Sequence, residues 1–223
     1  MPHPYDPPCA PRRGTRSLWW ALAAPVAATL LVAGCSGSTK HASPARKTTT
    51  TTVGKGNVAL RVSVAGVESA GQPAAVPDAA KNAISQSVNT YVQSATVHPM
   101  QSGRPAGDIA ALFTAGAAAR LATDLPAFID SGLPAATGPV AAKTATVVLT
   151  GLAQQDGAVV LVDAGLTLDV AARTKGGPES VQRTADLVFA NDGGTWKIAS
   201  YDVRVTRTVP GDEPSTTTAV SAK

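Results

Sequence analysis

The sequence predicts an α+β domain, with helices first and a meander of four antiparallel strands after them. Three observations carry this. Between Pro77 and Asp130 the apolar residues recur at helical spacing. From Val140 onward the spacing changes to two, the signature of half-buried strands. Turn residues punctuate that second half at Gln155-Asp156-Gly157, Lys175-Gly176-Gly177-Pro178 and Asn191-Asp192-Gly193-Gly194. Helices followed by a run of strands belong to the α+β class, with the helices laid across one face of a curved sheet.

In chain order, Val58, Leu60, Val62 and Val64 alternate with polar residues and predict a strand or an ordered edge piece. Pro77-Asp78 then opens a helix, with Asp78 placed to accept from the first backbone amides. Its apolar stripe is Ile84, Val88, Tyr91, Val92 and Ala95. It is expected to stop at His98-Pro99, because proline pushes the residue before it out of the helical region. Asp108 is expected to cap a second helix with Ile109, Leu112, Phe113, Ala117 and Leu121 on its stripe, weakened at Gly116. A short third helix is expected over Leu125 to Asp130.

The strands are predicted at Val140–Leu152, Ala158–Arg173, Val181–Ala190 and Thr195–Val209, with a bulge or bend at Asp163–Gly165. In the third of these, Val181, Arg183, Ala185, Leu187 and Phe189 share one face. Asp212 to Lys223 carries no pattern and is expected to be a disordered tail, residues 211–223.

The order of elements resembles the NTF2-like, or SnoaL-like, α+β cone over residues 77–209. The closing segment carries the likeness: Arg183 to Phe189, the turn Asp192-Gly193-Gly194, then Trp196-Lys197-Ile198 and Tyr201-Asp202-Val203. The strand at 58–64 departs from the simplest form of that family. The resemblance implies a cone pocket, which enzymes of the family use for proton transfer by an Asp, His or Tyr. It also implies dimerisation through the sheet.

The segment before the domain is of another kind. Arg12, Arg13 and Arg16 precede a run of 15 mainly apolar residues, Leu18 to Val32. A transmembrane helix needs about 20 such residues, so the run fits the hydrophobic part of an export signal. Arg12-Arg13 lacks the apolar pair that a twin-arginine signal carries soon after, which favours the general export route. The run ends in Val32, Ala33, Gly34 and Cys35, and the stretch resembles the lipobox of bacterial lipoproteins. That resemblance implies recognition of Val32, Ala33 and Gly34 by the signal peptidase, cleavage before Cys35, and acylation of Cys35. Residues 1–34 are then a signal peptide. Two or more acyl chains anchor stably, since each buried CH₂ contributes roughly 0.8 kcal/mol.

Ser36 to Gly56 is mainly Ser, Thr, Gly, Ala and Lys, with Thr48 to Thr52 unbroken. Such a composition has nothing to bury, so residues 35–56 are expected to be a disordered tether. Its Thr run reads as a solvated spacer, and resembles tracts that carry sugar in exported actinobacterial proteins. The domain proper is expected over 57–210.

The pI of about 9.3 suggests nucleic acid at first sight, but the distribution of charge excludes it. Asn57 to Pro210 holds 11 Lys plus Arg against 12 Asp plus Glu. The positive excess sits in the leader and in Lys40, Arg46, Lys47 and Lys55 of the tether, where it favours an anionic membrane surface. Once the leader with Cys9 is removed, Cys35 is the only cysteine, so no intramolecular disulfide and no Cys-based zinc site is expected.

The acid/base inventory is poor. His98 stands in a loop before proline and reads as solvated. Asp163 and Asp169 read as structural, Asp169 with Arg173, Arg183 or Arg204 as cross-strand partner. The residues left to line a cone pocket are Tyr91, Asp169, Tyr201 and Asp202. No Ser/His/Asp set, metal-spaced cluster or phosphate loop stands in the sequence, and no cofactor or metal is expected. These observations predict a lipid-anchored envelope protein at the extracytoplasmic face of the membrane. Its non-catalytic domain would bind a partner protein or a small envelope ligand. The competing expectation is a pocket enzyme of isomerase or dehydratase type, or a small-molecule or lipid carrier.

Overall fold

A computed structural model of the chain describes residues 48–51, 58–105 and 107–220. The lipobox residues Val32, Ala33, Gly34 and Cys35, the apolar run before them and most of the tether lie outside the described residues.

The domain is mixed α+β, as the change of period predicts. Among the described residues, seven strands form one curved, open sheet in the order of the chain: β1 (Thr48–Thr51), β2 (Leu60–Ser69), β3 (Ala141–Ala153), β4 (Val159–Arg173), β5 (Pro178–Asp192), β6 (Thr195–Thr208) and β7 (Ser215–Val220). All neighbours are antiparallel except β2 and β3, which run parallel. A parallel pair needs a long crossover, and the helices supply it. These are α1 (Asp78–Val92), α2 (His98–Ser102) and α3 (Ala115–Phe128). Helices α1 and α3 pack on β6, and α3 also meets β7.

The four-strand meander forms within a few residues of its predicted bounds. Gly193 and Gly194 both adopt left-handed backbone angles, φ 58° and 90°, and make the tight hairpin turn between β5 and β6. The strand read at 58–64 is longer, Leu60–Ser69, and lies inside the sheet between β1 and β3.

Two segments expected to be unstructured contain strands. Thr48–Thr51, within the predicted tether, pairs with Leu60–Ser63. Ser215–Val220, within the predicted tail, pairs with Asp202–Arg207. A strand at the rim of a sheet is held by ladder bonds to a neighbour that already exists, so it needs few apolar side chains. In β7 only Ala219 is buried.

The predicted bulge at Asp163–Gly165 does not form. Those residues keep continuous register with β3 and β5. The irregularities lie instead at Val64/Gly66, Ala142/Thr144, Leu152/Ala153 and Val188/Phe189.

The helical layer differs from expectation at its ends. The stripe Ile84, Val88, Tyr91, Val92 and Ala95 is buried as predicted. The helix does not stop at His98-Pro99. A π-helical turn, Gln93–Val97, follows α1 and leads straight into α2. Pro99 has no N–H to give to the carbonyl of Ala95, and that carbonyl accepts from the Asp130 N–H at 2.8 Å instead. Gly103, at φ 64°, ends α2.

Asp108 does not cap a helix: it accepts from the Ala110 N–H at 2.7 Å, and only a single 3₁₀ turn, Ala110–Leu112, follows with Ile109 at its cap. Phe113 is extended and bridges to Ile198, so the chain must restart its helix. Thr114 caps α3, which then runs to Phe128 with Pro126 inside its last turn. The separate helix expected at 125–130 is therefore the end of α3.

Candidate functional site

The inner side of the sheet holds a buried polar network. Arg183 alternates into the same inward face as Val181, Ala185, Leu187 and Phe189, and it is 1 % exposed. Its Nη1 donates to the Tyr91 hydroxyl and to the carbonyls of Ala127 at 2.9 Å and Phe128 at 3.0 Å. Its Nη2 donates to Asp130 Oδ2 at 2.7 Å. Asp130 is wholly buried, and also accepts from Thr96 Oγ1 at 2.6 Å and from Arg207 Nε at 2.6 Å. Arg207 goes on to the carbonyl of Pro126 at 2.7 Å and to Thr217 Oγ1 of β7 at 3.2 Å.

The chemistry of this network is structural. The last carbonyls of a helix have no partner within it, and they carry partial negative charge. Two arginines, one from β5 and one from β6, take those of α3. Asp130 balances the pair from the chain just beyond the helix. Apart from Arg183 Nε, which has no partner among the described residues, the side-chain groups of the network bind one another or helix-end carbonyls. Burial opposes the charge on Arg183, yet Tyr91 and Asp130 hold its proton more firmly than usual. Burial likewise raises the Tyr91 hydroxyl above its ordinary value.

Beside the network lies an aromatic cluster. The Phe128 ring meets Tyr201 edge-on at 4.7 Å between centroids, and Phe113 at 5.4 Å. Tyr91 meets Phe128 at 5.8 Å. The Tyr201 hydroxyl donates to Asp124 Oδ2 at 2.6 Å. Burial and this hydrogen bond push the Tyr201 hydroxyl up to about 12, far from the range of a general acid or base at neutral pH. Tyr91 and Tyr201, read as pocket-lining, are 0 % and 2 % exposed. With Arg183, Phe113 and Phe128 they are packed into the interior of the domain.

Asp169 and Asp202 lie on the opposite side of the sheet. The four candidate residues are thus split between two faces and form no single site. The outer face carries rows of residues in register. One row is Arg61, Thr146, Thr167, Thr184, Arg204 and Thr218. The next includes Gly165, Asp186 and Asp202, with the two carboxylates directly opposite each other. Thr184, Asp186, Asp202 and Arg204 are all exposed and line a shallow hollow of about 460 Å³.

Asp169 stands between Thr144 and Gln182 and makes no ion pair among the described residues. The expected partner Arg183 points to the other face and is taken by Asp130. His98 is exposed at the start of α2. Among the described residues no helix is long and apolar enough to cross a membrane, and no group of three or more acidic, His or Cys side chains is arranged to hold a metal ion.

The sequence signal for the network was the charge at Arg183 within an otherwise apolar face. Its partner carried no signal, because Asp130 follows a helix end, 53 positions before Arg183. Set against protein-family models, characterised proteins and solved structures, the chain matches none of them.

Proposed function

We propose that this chain is an envelope lipoprotein, anchored through acylated Cys35, whose NTF2-like domain is a non-catalytic binding module. Its contact surface is the uncovered outer face of the sheet, centred on Thr184, Asp186, Asp202 and Arg204. A partner protein of the envelope, or a second copy of the domain, lies across that face. The domain works at the extracytoplasmic side of the membrane, with the basic residues of the tether next to anionic headgroups.

The observation that carries this reading is the contrast between the two sides of the sheet. Inside, the buried Arg183 and the aromatic rings fill the space that a pocket enzyme would keep open. Outside, charged and hydroxylated side chains stand in register on strands that the fold holds rigidly. Polar groups in rows on an open sheet face can supply the direct hydrogen bonds that a protein–protein interface carries.

Photo-crosslinking in intact cells tests it. A crosslinker at Thr184 or Arg204 is expected to capture the same neighbour, or a dimer, reproducibly, while one at Gln86, exposed on α1, is not. Equal capture from Gln86, or none from the outer face, removes the assignment of the surface. A Cys35→Ser chain that still sediments with membranes removes the anchor.

A further inference from the structure

One buried ionisable group takes no part in the network. Glu179 stands near the start of β5, opposite Ala172 of β4. It is 1 % exposed, and neither carboxylate oxygen takes a hydrogen bond from any described group. A buried carboxylate without donor or counter-ion is strongly disfavoured, and such a group relieves the cost by keeping its proton.

We propose that Glu179 is a proton-operated latch: the neutral acid lies buried and unpartnered at the end of the core where β4 turns into β5, and its ionisation loosens that end.

The charges around it leave no other way to stabilise the anion. On β5 the next inward charge is Arg183, and on β6 it is Arg207; both are bound to Asp130. On β4, Val170 and Ala172 point inward, while Arg173 and, just beyond the strand, Lys175 are exposed. The stretch 131–140, bonded to the carbonyls of Met100 and Arg173 through Ala136 and Thr137, has no ionisable side chain. His98 of α2 is exposed, as are Asp212 and Glu213 beyond β6. Burial alone therefore acts on the carboxyl, and it raises the group from 4.5 to about 7.

The turn next to it is closed by Thr174 and Gly177, through Thr174 N–H to Gly177 O at 2.8 Å, Thr174 Oγ1 to the same oxygen at 2.9 Å, Gly177 N–H to Thr174 O at 3.4 Å and Gly176 N–H to Thr174 Oγ1 at 3.2 Å. The 131–140 stretch is tied to this end by the Thr137 N–H to Arg173 O, at 2.6 Å.

The sign follows from the raised value. Between pH 4.5 and 7 the folded chain keeps a proton that the unfolded chain has lost. Stability from this group is therefore greatest at acid pH and is lost as pH rises through about 7. From pH 6 to pH 8 the opening equilibrium should grow about tenfold.

Hydrogen exchange of the full chain at pH 6 and pH 8, corrected for intrinsic rates, reads this at the amides of 172–181. The wild type is expected to lose about tenfold in protection at pH 8. Glu179→Gln is expected to lose that pH dependence, and Glu179→Leu serves as the apolar variant where the amide is not tolerated. The ¹³C carboxyl resonance of Glu179 reads the same group without substitution, with a midpoint expected near 7. A midpoint at or below about 5, equal protection of the wild type at both pH values, or an unchanged loss in the variants overturns the proposal.

Discussion

The two faces of β5 sit one residue apart and solve the problem of charge in opposite ways. Arg183 faces inward, has no contact with water, and binds Tyr91, two helix-end carbonyls and Asp130. Asp186 faces outward, has solvent around it, and stands opposite another carboxylate, Asp202. Inside, the charge is held by fixed partners on both terminal nitrogens of Arg183. Outside, water screens even a like-charge pair. The inner face is thus committed to holding the fold, and the outer face is available for recognition.

Substitutions can break that contrast, and the largest effect is expected within the network. Asp130→Ala leaves two arginines without their shared counter-ion and should destabilise the domain by about 3–5 kcal/mol in denaturant titration. Phe128→Ala removes the ring at the centre of the aromatic cluster, with a comparable loss of about 3–5 kcal/mol. A loss below about 1 kcal/mol in either variant would mean that the interior is looser than described.

Smaller effects sharpen the comparison. Tyr201→Phe removes one hydrogen bond to Asp124 and should cost about 1–2 kcal/mol, measured the same way. Asp202→Asn relieves the repulsion with Asp186 and should be neutral or stabilising by up to about 1 kcal/mol. A clear loss there would show that the outer face carries structural load. On the proposed reading, the same substitution should still weaken capture of a neighbour by a crosslinker at Arg204.

The meander was legible because alternation and turn residues agree over β3 to β6, and the buried stripe of α1 was legible from its spacing. The helix ends were not. Pro99 is a stop signal only where the preceding turn is regular, and a π turn with Asp130 as substitute donor removes the conflict. Likewise β1 and β7 were illegible because their threonine-rich segments carry no apolar alternation, and the ladder to an existing neighbour is what holds them.

At the site, Arg183 could be placed on the inward face from sequence, yet it was also one of three partners offered for Asp169, with Arg173 and Arg204, and it pairs with Asp130 instead. Strand alternation sends the side chains of Arg183 and Asp169 to opposite faces. Tyr91 and Tyr201, read as pocket-lining, are core residues. Asp169 and Asp202 were grouped with them only because a pocket was expected.

The central claim is that the interior is full and recognition happens outside. A native mass spectrum of the full-length chain, extracted gently from membranes, tests it most directly. The account predicts the mass of the lipidated chain, alone or with a protein partner. A small molecule retained in stoichiometric amount, and still retained after Asp202→Asn, would contradict it.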